Sequence, residues 1–142
     1  IGVNTAVDVQ GNSIGFAIPI NSAKVAFASY QKHKKIVRPF LGIRYISITR
    51  DLANLNNLSV TEGALVTASG EQGLLAVVPG GPADKAGIEE NDIITKINDE
   101  KVTENRGIIS ILSSYTPGDT VKATYLRDKR ESTTSLELGE LK

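Results

Sequence analysis

The chain has 142 residues, 40% of them hydrophobic and 23% charged, which suits one compact domain with additional chain and argues against disorder. Sixteen basic residues balance sixteen acidic ones, so no global field would hold the molecule on nucleic acid or on an anionic membrane. Cysteine is absent, which removes disulfides, thiolate catalysis and sulfur-ligated metals, and no apolar run approaches the roughly 20 residues that span a bilayer.

Residues 1–20 alternate short apolar runs around a polar turn, Asp8-Val9-Gln10-Gly11-Asn12-Ser13, and predict a β-hairpin ending at Pro19. Gly11-Asn12-Ser13-Ile14-Gly15 superficially resembles the nucleophile loop of chymotrypsin-like proteases. The isoleucine after Ser13 stands where that loop requires glycine, so Ser13 is read as a turn residue and not as a nucleophile. Asn21 or Ser22 caps an expected helix that runs through Val25, Phe27 and Tyr30 into the basic segment Gln31-Lys32-His33-Lys34-Lys35. His33 is the only histidine. It lies among lysines without a carboxylate partner, and it is read, like Lys32, Lys34, Lys35 and Arg38, as a solvated residue of a linker. One histidine and scattered carboxylates give no metal-ligand spacing, and no cofactor motif is present. The start at Ile1-Gly2-Val3, with neither an initiator methionine nor a leader-like pattern, reads as part of a longer protein.

From Pro39 onward the pattern is mainly β, with short strands, frequent turns and two expected helices, at Ala83–Ala86 and around Asn105–Ser114. In Phe40-Leu41-Gly42-Ile43 a glycine lies between large apolar residues. There the backbone can bend so that successive N–H groups point into one hollow, a site for a carboxylate. A strand over Ile43–Ile48 follows. Between Ala64-Leu65-Val66 and Ala76-Val77-Val78 lies the segment 67–75, longer than one continuous strand requires and read as a hairpin extension. Val78-Pro79-Gly80-Gly81 breaks the strand, Pro82 opens a one-turn helix at its first position, and Gly87 closes it in the left-handed region. Asn91-Asp92 turns into the apolar strand Ile93–Ile97, and Asn98-Asp99-Glu100 turns out of it. Ile108, Ile111, Leu112 and Tyr115 follow helical spacing, with Gly107 at the helix start. Thr120–Arg127, a turn at Asp128-Lys129-Arg130 and Ser132–Leu138 predict a terminal hairpin.

The order of strand, Pro-Gly turn, short helix and strand from Val78 to Asn98, together with Phe40-Leu41-Gly42-Ile43, resembles a PDZ domain of the bacterial HtrA/Deg serine proteases. Ile1–Ala6 and Ile14–Pro19 resemble the last two strands of the protease domain in that family, whose catalytic serine lies upstream. The resemblance implies a division into 1–20 as the end of a truncated trypsin-like protease domain, 21–38 as a connector, and 39–142 as the PDZ domain. It implies a mainly β fold, a partly open barrel or sandwich with two short helices. It implies no catalytic residue in this chain, a serine endopeptidase as the parent, no cofactor, and a place in the bacterial cell envelope.

By the same resemblance Phe40, Leu41, Gly42 and Ile43 form the carboxylate-binding loop, and Arg44, Tyr45 and Ile46 form the strand to which a peptide adds. Gly107, Ile108, Ile111 and Leu112 lie on the facing helix, with Ile108 and Leu112 inward and Ile111 and Gly107 toward the guest. The implied partners are hydrophobic C-termini or extended segments of unfolded proteins, the chain's own protease domain and further copies in a trimer-based assembly, with no nucleic acid and no membrane insertion. The alternative is a structural module that makes protomer contacts and gates an oligomer without catching substrate, because an open strand edge pairs with another protomer as readily as with a peptide.

Overall fold

The computed structural model describes residues 2–7, 15–20, 24, 27, 30, 37–68 and 73–140. The turn at 8–13 with Ser13, the basic segment with His33, and residues 69–72 of the long 67–75 segment lie outside the described residues. The chain divides into two compact units, Ile1–Val37 and Arg38–Lys142.

In the first unit β1 (Gly2–Val7) pairs antiparallel with β2 (Gly15–Pro19), from Gly2↔Pro19 to Val7↔Gly15, with an irregularity between Asn4 and Ala6. Ile20, Lys24, Phe27 and Tyr30 are helical and exposed.

The second unit is mostly β with three short helices. Its order is β3 (Pro39–Phe40), β4 (Tyr45–Ser47), α1 (Arg50–Leu55), β5 (Ala64–Val66), α2 (Pro82–Lys85), β6 (Ile93–Ile97), β7 (Glu100–Lys101), α3 (Ile108–Leu112), β8 (Thr120–Arg127), β9 (Arg130–Glu137) and β10 (Gly139–Glu140). The main sheet runs β4-β5-β6-β8-β9, with β7 attached to β6, while β3 pairs separately with β10. The sheets are open, and β4 is an edge strand.

Side-chain alternation divides the apolar residues between the two faces of the main sheet. Ala64, Val66 and Ile94 join a large cluster with Leu41, Ala83, Ile108, Ile111, Leu112 and Val121, so α2 and α3 cover that face. Their neighbours Leu65 and Ile93 belong to a second cluster with Ile48 and Ala53, which places α1 on the other face.

The sequence reading did not anticipate α1. Thr49 caps it, its hydroxyl accepting from the Leu52 amide at 3.2 Å, and Ala53 is its only buried residue, so the helix offers no apolar stripe for periodicity to detect. The other turns follow expectation. Pro82 stands at the start of α2, Gly87 has φ +76°, and Asn91 and Asn98 take positive φ at the two ends of β6. The β8–β9 hairpin is tighter than expected, with Arg127 opposite Arg130 and only Asp128 (φ +51°) and Lys129 (φ +65°) between them. Positive φ at both central residues is the turn whose twist matches the flanking strands.

One polar cluster ties the hairpin to the rest of the unit. Asp92, 1% exposed, accepts from Arg127 Nε at 2.8 Å and Nη2 at 2.7 Å and from the Glu89 amide at 2.8 Å. Arg127 also donates to the Gly87 carbonyl at 2.7 Å and pairs with Glu89 at 3.0 Å. The hydrogen bond to Asp92, and then the charges of Asp92 and Glu89, hold the guanidinium above its already high ordinary pKa against the opposing effect of desolvation.

Candidate functional site

The loop between β3 and β4 is held by its carbonyl groups. The Leu41 carbonyl accepts from the Ala83 amide at 2.9 Å, and the Gly42 carbonyl accepts from the Val78 amide at 2.8 Å. In a trans peptide the N–H points opposite to the C=O of the same plane, so anchoring these two carbonyls inward turns the amides of Gly42 and Ile43 outward. Neither amide, nor that of Leu41, donates to the backbone of another described residue. Gly42 has φ +81°, and a side chain there would lie 3.3 Å from Pro82 Cδ. The left-handed bend and the close approach of α2 both require glycine, and consecutive amides around such a bend form an anion-binding concavity.

The strand beyond the loop continues this geometry. Arg44 uses both its backbone groups on the inner side: its amide donates to the Ala76 carbonyl at 2.7 Å and its carbonyl accepts from Thr67 at 3.0 Å. Backbone groups on a strand alternate sides, so those of Ile43 and Tyr45 face the open side of the edge strand. Thr67 and Ala76 therefore both bond to the backbone of a single residue, and Arg44 Nη1 also donates to the Leu75 carbonyl at 2.6 Å.

Across from this edge stands α3. Ile108, Ile111 and Leu112 share one face and are all buried, whereas Ile109 is 76% exposed. Ile111, expected to face a guest, has no exposed surface (0%); the helix is only five residues long, and its one apolar face is consumed by the core. Gly107 is the N-cap, and a methyl built there would lie 3.9 Å from Tyr45 Oη and, its chain neighbours aside, within 4 Å of no other described residue. The half-buried Tyr45 ring thus reaches from the edge strand to the start of α3. Phe40, Ile43 and Ile46 are partly buried, Leu41 and Gly42 are buried, and Arg44 is exposed. The sequence reading placed Tyr45 on the strand but missed its approach to Gly107, since strand register is needed to bring the two together. Among the described residues no three His, Cys, Asp or Glu side chains gather as a metal site, and no helix is long and apolar enough to cross a membrane.

The family model for the PDZ domain matches residues 39–138. The chain belongs to the PDZ domain family. The PDZ unit and the segment before it are together 33% identical to the "Probable periplasmic serine endoprotease DegP-like" of Rhizobium meliloti, over 99% of this chain and 27% of that protein. They are 36% identical to the "Serine protease Do-like HtrA" of Lactococcus lactis, over 95% of this chain and 32% of that protein. The solved structure of the HtrA-type protease AlgW with a decapeptide superposes with a TM-score of 0.74 at 28% identity, over 100% of this chain and 42% of that one. The chain accordingly resembles HtrA/Deg serine proteases while spanning about a quarter to a third of the length of these curated relatives.

Proposed function

We propose that residues 39–142 are a peptide-capturing PDZ module of an HtrA-type serine endopeptidase of the bacterial cell envelope, with residues 1–20 as the end of its protease domain and 21–38 as the connector. The observation that carries the reading is the pair of outward amides at Gly42 and Ile43 beside the open edge of β4. A free C-terminus supplies the anion, and the residues before it supply a strand that completes the sheet. Catalysis belongs to the parent serine endopeptidase, and the module brings unfolded or misfolded chains to it. Affinity is micromolar, because association costs several kcal/mol of lost motion and one carboxylate with a short strand leaves little surplus.

A fluorescence titration with labelled peptides ending in apolar residues, each paired with its C-terminally amidated form, tests this reading. Hydrogen bonds to a charged partner contribute about 1.5–3 kcal/mol, so amidation weakens binding roughly tenfold or more. Equal binding of both forms would sink carboxylate capture. It would favour the second reading that the β4 edge supports, pairing between protomers of a trimer-based assembly.

A further inference from the structure

The peptide-capture reading, on which this inference rests, requires the Gly42 and Ile43 amides to share one direction. That direction is set from outside the loop, by the Ala83 amide of α2 on the Leu41 carbonyl and the Val78 amide on the Gly42 carbonyl, at 2.9 and 2.8 Å. A group that fixes where α2 begins therefore acts on a guest carboxylate without touching it.

Pro82, the first residue of α2, packs against glycines from both ends of the unit. A Cβ at Gly42 would lie 3.3 Å from Pro82 Cδ, and one at Gly139 in β10 would lie 3.1 Å from Pro82 Cγ. Carbon atoms pack at about 3.5–4.0 Å, and a proline ring has no flexible end to swing aside. Gly139 differs from Gly42 in its backbone: its φ lies outside the left-handed region, so what glycine supplies there is only the missing Cβ.

The surroundings decide which partner gives way. β10 is pinned just before Gly139, where the Leu138 amide donates to the Asp119 carbonyl and the Leu138 carbonyl accepts from the Gly118 amide, both at 2.8 Å. The far end of α2 is pinned as well, the Ala86 carbonyl by Thr134 Oγ1 at 3.0 Å and the Gly87 carbonyl by Arg127 Nη2 at 2.7 Å. A methyl at position 139 therefore displaces the near end of α2, Pro82 and Ala83, which carries the anchor of the Leu41 carbonyl.

We infer that Gly139 is a positioning residue for carboxylate capture: presenting no side chain to Pro82, it lets α2 seat against the loop, so the last strand of the unit sets the aim of the Gly42 and Ile43 amides.

The test titrates the natural chain, Gly139→Ala, Pro82→Ala and the double variant with one peptide as free acid and as C-terminal amide. The natural chain should favour the acid roughly tenfold or more. In Gly139→Ala that preference should fall by roughly threefold or more, through weaker binding of the acid, because hydrogen bonds weaken steeply as their angles leave the optimum. Pro82→Ala alone should keep the preference within about twofold, since alanine suits a helical position and the Ala83 amide stays in place. The double variant should return to the level of Pro82→Ala, because the ring that the new methyl met is gone. A merely structural effect would lower the melting temperature without changing the ratio of acid to amide. An unchanged preference in Gly139→Ala, or a loss that removing the ring does not restore, overturns the inference and leaves peptide capture standing. If Gly139→Ala fails to fold, the double variant decides, and its failing too overturns the inference. Equal binding of acid and amide to the natural chain overturns both.

Discussion

Replacing Gly42 by alanine tests the loop geometry through stability and binding together. The left-handed backbone costs a non-glycine residue about 1–2 kcal/mol. The added methyl would meet Pro82 Cδ at 3.3 Å, close enough that α2 must give by a few tenths of an ångström. A combined loss of about 2 kcal/mol corresponds to a fall in melting temperature on the order of 10 °C for a domain of this size. Thermal unfolding followed by circular dichroism reads that loss. A peptide titration on the same sample, well below the transition, should show affinity down by tenfold or more, because relaxing the bend turns the Gly42 and Ile43 amides away from their common direction. Gly107→Ala is the control: the new methyl meets Tyr45 Oη at an ordinary 3.9 Å, and exchanging the N-cap glycine for alanine costs less than about 1 kcal/mol. An unchanged melting temperature for Gly42→Ala, or equal losses for the two variants, would refute the reasoning.

Ile111→Ala, which empties a fully buried position of the main cluster, should lose about 2–5 kcal/mol in urea unfolding, whereas Ile109→Ser on the exposed side of the same helix should stay within about 0.5 kcal/mol. Matching losses would mean that α3 is not oriented as described. Asp92→Ala removes the acceptor of two Arg127 bonds and of the Glu89 amide. Breaking a buried pair usually costs more, but the Arg127 side chain is 35% exposed and can be rehydrated, so a loss of about 2–3 kcal/mol is expected. Because the raised pKa of Arg127 keeps it charged, its side of that loss should be the same at pH 7 and pH 9; a loss that vanished at the higher pH would contradict the assignment.

Much of the fold was legible because local chemistry marks it. Pro82 and Gly87 bracket α2, Asn91 and Asn98 bracket β6, and a glycine among apolar residues marks the loop at Gly42. These residues act through their own backbone preferences, which the rest of the chain does not override. What escaped depended on tertiary context. α1 buries a single alanine, so its evidence reduces to the Thr49 cap. The burial of Ile111 was open in the sequence, since four residues shared helical spacing and only packing decides which face the core takes. The Asp92–Arg127 pair joins residues 35 positions apart, and nothing local links them. Tyr45 and Gly107 meet for the same reason, through sheet register and helix placement.

The pairing of β3 with β10 has a mechanical consequence. Pro39 lies opposite Glu140 and Phe40 opposite Gly139, so the chain enters and leaves this unit side by side. Tension applied through the two ends would pull the strands apart like a zipper, loading one hydrogen bond at a time instead of all in parallel, and Pro39 has no N–H to contribute. The residue after that pair is Leu41. Inside that pair the opposite strand leads through Leu138 to Glu137 at the end of β9, so once the pair opened a pull on the ends would load the loop carrying the outward amides of Gly42 and Ile43 as early as it loads the rim of the main sheet.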